Sequence, residues 1–432
     1  MDSIWTKTAE NRPRFEQMSG DIKTDVLIIG GGMAGILCAH RLKELGLACV
    51  LVEADRICGG ITKNTTAKIT LQHGAIYDKM IKRFGESYAK LYIEAQKEAM
   101  KRYEHLCEHI SCGYEKQDSY VYSVDNFRKI EREAVALDRI GCKADIIVND
   151  SAPLSIVGAV RVRGQAQFNP LEFAFEIAKE LPIYEDTKVL EFRPDGIVTN
   201  RGRVFAEKII VATHFPILNK HGSYFLKLYQ HRSYVIALKN AEEVDGMYVD
   251  EDEKGMSFRN YGDVLLLGGG SHRTGKHGGN WRELEDFAKI NYPKAEIVAR
   301  WATQDCMTLD HIPYIGQYSE GTPNLYVATG FNKWGMTSAM VASIVLGDMI
   351  KGKSNDYAHV FSPQRSIFRP QLAINTFEAL IGLVTPTVPR CPHMGCALRY
   401  NRQEHSWDCP CHGSRFTEDG KLIDNPATAD KN

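Results

Sequence analysis

The sequence of 432 residues predicts an α/β protein in three parts: a Rossmann-like nucleotide-binding domain, a domain built on an antiparallel sheet, and a small all-β lobe at the C-terminus. Three observations support this prediction. A short apolar run, a glycine-rich turn and an apolar helical stretch follow one another around Gly30. Segments in which apolar and polar residues alternate occupy the middle of the chain. Two pairs of cysteine and histidine lie close together near the C-terminus.

The first part is predicted from the glycine pattern near the N-terminus. Residues 25–29 form an apolar run, and the turn that follows carries Gly30, Gly32 and Gly35. In a dinucleotide-binding fold the first glycine permits the turn, the second lets the backbone approach a pyrophosphate, and the third lets the helix pack against the strand. A second apolar run ends in Glu53, at about the 20-residue distance where an acidic side chain binds the ribose. The pattern therefore predicts a nucleotide-binding site.

The segments that follow this motif resemble the D-amino-acid-oxidase superfamily of flavoproteins. The loop 56–68 has two glycines followed by small hydroxyl residues, and residues 324–330 form a predicted strand that enters a glycine turn before an apolar helix. Residues 188–190, 208–214 and 310–316 resemble further segments around the cofactor. The resemblance implies FAD, bound by a domain of the glutathione-reductase type. The cofactor-binding residues that it implies are Gly30, Gly32, Gly35, Glu53, Thr65, Thr66, Val189, Thr213, Gly330, Trp334, Gly335 and Met336.

A second glycine-rich turn, residues 268–270, also follows an apolar run. Arg273 stands where a third glycine would be needed, and residues 276–280 are polar instead of opening an apolar helix. The pattern therefore argues against a second nucleotide-binding domain of the disulfide-reductase class. We expect these glycines to turn a strand of the second sheet.

The second domain is predicted between the nucleotide-binding segments. Apolar and aromatic residues recur every three or four positions over residues 76–112, which predicts a helix, and residues 126–140 predict another. Alternating segments at 160–163, 196–199 and 234–238 predict an antiparallel sheet. The oxidoreductase part is expected over 1–361, with the FAD-binding domain at about 24–72, 186–216 and 310–352 and the substrate domain at about 73–185 and 217–309.

The C-terminal motif predicts a metal cluster. One pair has the spacing C-x-H and the other C-x-x-H, and each has a further cysteine beside it: the residues are Cys391, His393, Cys396, Cys409, Cys411 and His412. Two thiolates and two imidazoles match a [2Fe–2S] centre in which imidazole replaces thiolate on one iron. A structural zinc site is the alternative, because paired cysteine and histidine also begin zinc fingers. Six candidate ligands are too many for one zinc ion, so iron is favoured.

This motif resembles the Rieske family. The resemblance implies that Cys391 and Cys409 bind one iron, that His393 and His412 bind the other, and that Cys396 and Cys411 form a disulfide across the two cluster loops. Each imidazole must be neutral to bind. Respiratory members have a tyrosine where this chain has Phe416, although Ser414 is present. One hydrogen bond fewer to sulfur disfavours the reduced cluster, so we expect a potential toward the low end of the Rieske range.

The lobe is expected over residues 379–432 with a shortened base, because only residues 379–389 precede the first ligand. Residues 362–378 are predicted as a linker, since Pro363 and Pro370 interrupt regular structure there.

Charge and hydropathy exclude several classes of partner. Lysine and arginine number 53 and aspartate and glutamate 54, so charge gives no argument for nucleic acid or an anionic membrane. Residues 1–23 lack the apolar core of a signal peptide, and no uncharged apolar run reaches the roughly 18 residues of a membrane span. The cytoplasm is therefore the expected location.

The two cofactors together predict a function. A flavin accepts two electrons as a hydride, whereas the cluster carries one. We expect a small substrate with an amine, amino-acid-like or hydroxyl group to reduce FAD, and the cluster to exchange single electrons with an external acceptor or donor protein. Lys68, His73 and His214 are candidate acid–base or orienting groups, although Lys68 could instead bind a phosphate and the histidines could satisfy backbone groups. A non-catalytic electron-transfer or redox-sensing module that acts on protein partners is the alternative.

Overall fold

The computed structural model describes residues 2–9, 11–148, 152–218, 221–386 and 389–431. The helices are α1 (Ile4–Thr8), α2 (Met33–Glu44), α3 (Tyr77–Phe84), α4 (Glu86–Cys107), α5 (Phe127–Arg139), α6 (Pro170–Ala178), α7 (Tyr224–Lys227), α8 (Asn280–Asn291), α9 (Gly335–Ile350), α10 (Ala358–Phe361) and α11 (Pro370–Val384), with a 3₁₀ turn at Ile61–Asn64. The strands are β1 (Ile22–Ile29), β2 (Cys49–Val52), β3 (Lys68–Ile69), β4 (Glu115–Ser123), β5 (Asp145–Ile147), β6 (Gly158–Gln167), β7 (Ile183–Tyr184), β8 (Val189–Arg193), β9 (Gly196–Thr199), β10 (Gly202–Val211), β11 (Leu228–Lys239), β12 (Met247–Asp250), β13 (Ser257–Tyr261), β14 (Val264–Arg273), β15 (Glu296–Thr308), β16 (Tyr314–Gln317), β17 (Leu325–Thr329), β18 (Arg399–Asn401), β19 (Ser406–Asp408), β20 (Arg415–Thr417) and β21 (Leu422–Asp424).

The first sheet forms the nucleotide-binding domain. Its parallel strands lie in the order β17, β10, β1, β2, β7, with β16 antiparallel at one edge. β1 is apolar on both faces because Val26 and Ile28 pack in one hydrophobic cluster with α2 and α9, and Leu27 and Ile29 in another. The segment 196–199, expected in the second sheet, is β9 of this one, because it forms an antiparallel hairpin with β8 and returns directly into β10.

The second sheet has the order β15, β11, β14, β13, β12, β4, β6, β3, with β5 beside β6. Its pairings are antiparallel as predicted, except that β4 and β12 are parallel, since a long stretch of chain separates them instead of a hairpin. The glycines 268–270 lie within β14, as expected. Gly270 has a φ of 61°, near the point where the register with β11 shifts between Arg232 and Tyr234.

The predicted helix over residues 76–112 is two helices, α3 and α4. Gly85 separates them with a φ of 89°, in the left-handed region that glycine reaches without steric strain. The predicted helix over 126–140 is α5, whose first turn is capped by Asn126: its Oδ1 accepts from the amide of Lys129 at 3.2 Å.

The C-terminal lobe is all-β, as predicted. β18, β19, β20 and β21 are three-residue strands in one antiparallel sheet. The expected linker is helical from Pro370 onward, because proline at the first helical position loses no hydrogen bond. α11 packs on the lobe: a β-carbon on Gly382 would lie 2.5 Å from the Cys411 sulfur. The boundary between the two parts stays a prediction.

Among the described residues, no helix combines the length and the apolar character needed to cross a membrane.

Candidate functional site

A cavity of about 1070 Å³ is lined by residues from both large sheets and from the C-terminal lobe. Its walls include the turn before α2, the loop after β2, the start of α9 and residues 422–425 after the cluster motif. Sites for small molecules measure roughly 300–1,000 Å³, so this volume is suited to a large cofactor. The residues that the sequence singled out for FAD and catalysis all line the cavity, with the exception of Gly35.

The glycines of the first turn form a cradle. Gly30 has a φ of 110°, and a β-carbon there would lie 2.7 Å from the Ala212 carbonyl oxygen. Gly35 is away from the cavity, but a β-carbon on it would lie 1.9 Å from the Gly30 oxygen, so only glycine lets α2 pack this closely. A β-carbon on Gly32 would lie 3.5 Å from the Thr62 hydroxyl, which accepts from the Met33 amide at 3.0 Å in the first turn of α2. The remaining amides of this turn and the helix dipole suit a phosphate.

Glu53 lies at the end of β2, on the cavity wall. Its carboxylate accepts hydrogen bonds from the amides of Gly31 at 2.7 Å and Asp55 at 3.0 Å, and burial raises its pKa. The two amides fix the side chain in the position predicted for contact with the ribose.

Two side chains that the sequence did not single out hold the loop of Thr65 and Thr66. The Trp5 indole donates to the Thr65 carbonyl at 2.7 Å, and the Arg259 guanidinium donates to the Thr66 carbonyl at 2.8 Å. Both come from elements remote in sequence, so no local pattern could have indicated them.

The start of α9 forms the opposite wall. Gly330, Trp334, Gly335 and Met336 line the cavity, and no side chain caps the first turn of this helix. Amides at a helix N-terminus carry partial positive charge, which favours the negative charge of a reduced flavin. Asn332 fixes the loop before the helix by accepting from the Thr308 amide at 2.8 Å.

The predicted catalytic residues differ in their surroundings. Lys68 lies on the cavity wall with Nζ 3.4 Å from the Thr66 hydroxyl, and burial lowers its pKa to about 7. His73 has protein partners at both ring nitrogens: the Tyr92 hydroxyl at 2.6 Å from Nδ1, and the Thr337 hydroxyl at 3.0 Å from Nε2. Burial lowers the pKa of His73 to about 3, so the ring is neutral. The His73 ring stacks on Trp334 with ring centres 5.0 Å apart, and this contact holds the Trp334 side chain in place on the cavity wall.

A polar group that sequence reasoning missed faces the cavity from the second sheet. Asp305 on β15 accepts from the Ser233 hydroxyl at 3.2 Å, and burial raises its pKa to about 6. Lys333, from the loop before α9, donates to the Ser271 hydroxyl at 3.1 Å. Asp305 and Lys333 both line the cavity, and their charges affect each other. β15 also contains Arg300, Thr303 and Gln304, so no local pattern distinguishes Asp305.

The candidate cluster ligands lie on two loops of the same shape. The Gly395 amide donates to the Cys391 carbonyl, and the Gly413 amide donates to the Cys409 carbonyl, each at 2.9 Å. Cys391 and Cys409 are buried, and a hydrogen bond between their side chains lowers the pKa of Cys391. The Ser414 side chain also bonds to Cys391 and lowers its pKa. A lowered pKa favours the thiolate that a metal requires.

The two imidazoles lie together on the side of the lobe that faces Phe215. The ring centres of His393 and His412 are 4.9 Å apart. Burial lowers the pKa of His393 to about 4 and that of His412 to about 3, so both are neutral. Nδ1 of His412 is buried without a hydrogen-bond partner among the described residues. A buried nitrogen of this kind is costly unless it binds a ligand, so these residues fit a metal cluster.

Cys396 and Cys411 form a disulfide with their Cα atoms 6.7 Å apart, which agrees with the pairing that the resemblance implies. The sulfurs of Cys396, Cys409 and Cys411 lie within 4.8 Å of one another, so the disulfide stands directly against a ligand loop. Phe416 is fully buried, and its ring has no hydroxyl to donate to sulfur.

The lobe is docked on the second sheet through buried polar contacts. Arg273 donates to the carbonyls of Pro410 at 3.1 Å and Cys411 at 3.2 Å, directly beside the second ligand loop. Arg232 forms a buried ion pair with Glu404. The cluster loops therefore have a defined position relative to the cavity.

Comparison with known proteins agrees with this geometry. The profile of the FAD dependent oxidoreductase family matches residues 25–349, and that of the Rieske [2Fe-2S] domain matches residues 375–431. The putative Rieske 2Fe-2S iron-sulfur protein YhfW of Bacillus subtilis is 34% identical over 99% of this chain and 96% of its own length. Gamma-glutamylputrescine oxidoreductase of Escherichia coli is 23% identical over 82% of this chain and 90% of its own length.

Among solved structures, glycine oxidase from Geobacillus kaustophilus has a TM-score of 0.68 at 19% identity, covering 80% of this chain and 100% of the oxidase. The glycine cradle fits FAD, and the two thiols with two neutral imidazoles fit a [2Fe–2S] cluster. The chain therefore belongs to the FAD-dependent oxidoreductases of the D-amino-acid-oxidase superfamily and carries a C-terminal Rieske [2Fe–2S] domain.

Proposed function

We propose that the protein oxidises a small amine or amino-acid-like molecule at the flavin and exchanges the electrons singly through the Rieske cluster. The observation that carries the proposal is the shared cavity, because its walls include both the predicted flavin-binding residues and part of the cluster lobe. When bound, FAD accepts a hydride and the cluster carries one electron. The roles of individual residues and the cytoplasmic location stay predictions.

The charges on the cavity wall support an amine or amino acid in preference to a neutral alcohol. Above a pH of about 6, Asp305 presents a carboxylate that can bind a protonated amine. Lys333 supplies a positive charge on the same wall, where a substrate carboxylate can bind. Because Asp305 is largely removed from bulk water, its charge acts more strongly than on an open surface. Two of the similar proteins are named for γ-glutamylputrescine and glycine, which belong to the same substrate class.

Lys68 is the proposed proton acceptor near the flavin. Its pKa of about 7 means that a substantial fraction of the side chain is neutral at physiological pH, as a general base requires. His73 is proposed as a positioning residue for Trp334, since both of its ring nitrogens already have protein partners.

Anaerobic reduction of the flavin by a panel of amines, amino acids and hydroxy acids tests the proposal. We expect amines or amino acids to bleach the flavin, and Asp305→Asn to raise their apparent Kd by more than about tenfold while FAD remains bound. Asp263→Asn is the matched control, because that carboxylate is 75% exposed in the turn between β13 and β14 and does not line the cavity. Bleaching by protein donors alone would contradict the proposal and favour an electron-transfer module.

A further inference from the structure

The segment 213–215 lies between the cavity and the cluster lobe. It follows β10, and Thr213 and His214 line the cavity. From the lobe, Nδ2 of Asn425 donates to the carbonyl oxygens of Thr213 at 2.6 Å and Phe215 at 2.7 Å. His214 has a φ of 66°, a left-handed conformation that costs free energy for most residues with a β-carbon. Such a conformation, fixed by contacts on both sides, points to a function for the side chain.

Gln230, on β11, joins this segment to a cluster ligand. Its side chain is 1% exposed. Nε2 donates to the carbonyl oxygens of His412 at 2.9 Å and Asn425 at 3.0 Å. Oε1 lies 3.2 Å from Nε2 of His214, which donates to it in the corresponding tautomer. Two hydrogen bonds therefore connect an imidazole on the cavity wall to the backbone of an imidazole that is a predicted iron ligand.

We infer that His214 and Gln230 form the bridge through which the flavin site and the Rieske cluster exchange electrons. This inference rests on the proposed function, because it requires both cofactors. With both cofactors bound, reduced FAD would supply its two electrons to the cluster one at a time, the cluster would pass each to an external one-electron acceptor, and the flavin protons would go to water. His214 and Gln230 undergo no net change in electrons or protons. They act by providing electronic coupling between the flavin and the cluster.

A bonded connection matters for this step because electronic coupling falls less steeply through hydrogen bonds than across a gap between packed atoms. The Phe215 ring also lies between the two sites, with its centre 6.3 Å from that of His393 and 6.4 Å from that of His412. It touches these rings by packing alone. The hydrogen bonds of Asn425 lead from the same segment to Gln230 and also, through the Ala427 amide, to the Ser414 hydroxyl, so the connection through Gln230 is the one with fewer hydrogen bonds.

Flash photoreduction of the bound flavin tests the bridge. Under anaerobic conditions, with EDTA as the electron donor, the bleaching of the oxidised cluster reports electron transfer between the two centres. We expect Gln230→Leu to lower its rate constant by at least about tenfold. Gln304→Leu is the matched control: Gln304 is fully buried and donates to the neighbouring Gly413 carbonyl at 2.9 Å, but its Oε1 accepts from Thr274 and not from the cavity wall. Its rate constant should stay within about twofold of the unaltered protein.

The potentials of both cofactors are measured for each protein, so that a change in driving force is separated from a change in coupling. His214→Asn is a second variant, because asparagine tolerates a positive φ but is too short to reach Gln230. His214→Asn should slow electron transfer to the same extent as Gln230→Leu. If iron and sulfide analysis shows that Gln230→Leu has lost its cluster, His214→Asn is the variant that tests the bridge. Transfer at the control rate in the variants, at unchanged potentials, would overturn the bridge.

This experiment separates the inference from the proposed function. Light, and not a substrate, reduces the flavin, so the rate of cluster reduction is independent of which molecule the enzyme oxidises. Failure of every amine to bleach the flavin would contradict the proposed function alone, whereas normal transfer in the bridge variants would contradict the bridge alone.

Discussion

The carboxylate of Glu404 is predicted to be the main electrostatic contact that holds the cluster lobe on the second sheet. It is 8% exposed and accepts hydrogen bonds from Arg232, from the Tyr234 hydroxyl at 2.9 Å and from Arg415 at 2.8 Å. Burial raises its pKa, but the charges of Arg232 and Arg415 outweigh burial and lower the pKa to about 2. The folded protein therefore stabilises the ionised form strongly.

The shift in pKa gives the size of the effect. The difference between the usual 4.5 and about 2, at about 1.4 kcal/mol for each pH unit, corresponds to about 3 kcal/mol. Because the pKa is lower in the folded state, this contribution is complete above the unfolded value of 4.5 and is lost as the pH falls toward about 2. Glu404→Gln should cost about 3 kcal/mol at neutral pH, since it leaves the buried Arg232 without its carboxylate.

The assay follows the visible circular dichroism of the cluster during urea denaturation, because a protein with two cofactors does not unfold in one step and the lobe needs its own signal. Glu418→Gln is the control: Glu418 lies on the same lobe, but its side chain is 59% exposed and its partners are the exposed His405 and the exposed Tyr400 hydroxyl. We expect Glu404→Gln, but not the control, to lose the cluster signal at a lower urea concentration than the unaltered protein. The difference in midpoint urea concentration should become smaller below pH 4.5. Equal midpoints for the two variants at neutral pH would refute the reasoning.

Three further predictions concern the cofactors and the substrate. Gly35→Ala should abolish FAD binding, measured by flavin absorbance, because the β-carbon would lie 1.9 Å from the Gly30 oxygen, whereas Gly321→Ala, with open space around it, should bind FAD normally. Phe416→Tyr should raise the cluster potential in a voltammetric titration by adding a donor near sulfur, and an unchanged or lower value would contradict this. Reduction of the flavin by an amine should weaken below a pH of about 6 as Asp305 is protonated, and a pH profile that is the same in Asp305→Asn would argue against this assignment.

The sequence predicts best the features that lie within short segments. The turn with Gly30 and the cluster spacing around Cys391 each encode their structure within a few residues, so strand, helix and ligand loops could be assigned locally. Asp305 and Gln230 stand on separate strands, and their roles depend on β11 and β15 pairing beside the cavity. A single sequence carries no signal for that juxtaposition. Pro370 suggested a break in the chain, but proline also opens helices, and only the packing of α11 decides between the two.

The second sheet supports the cluster lobe, for which the sequence predicts a shortened base. The hydrophobic core of the lobe is a small cluster of buried residues: Cys391, Cys396, Leu398, Cys409, Cys411, Phe416 and Ala427. A core of that size stabilises a lobe of three-residue strands poorly without further support. The second sheet supplies that support through Arg273, which bonds the backbone of the second ligand loop, and through the ion pair of Arg232 with Glu404. Since the sheet that lines the cavity also supports the cluster lobe, the distance between cavity and cluster is set by the fold, which is the condition under which the proposed bridge through Gln230 can work.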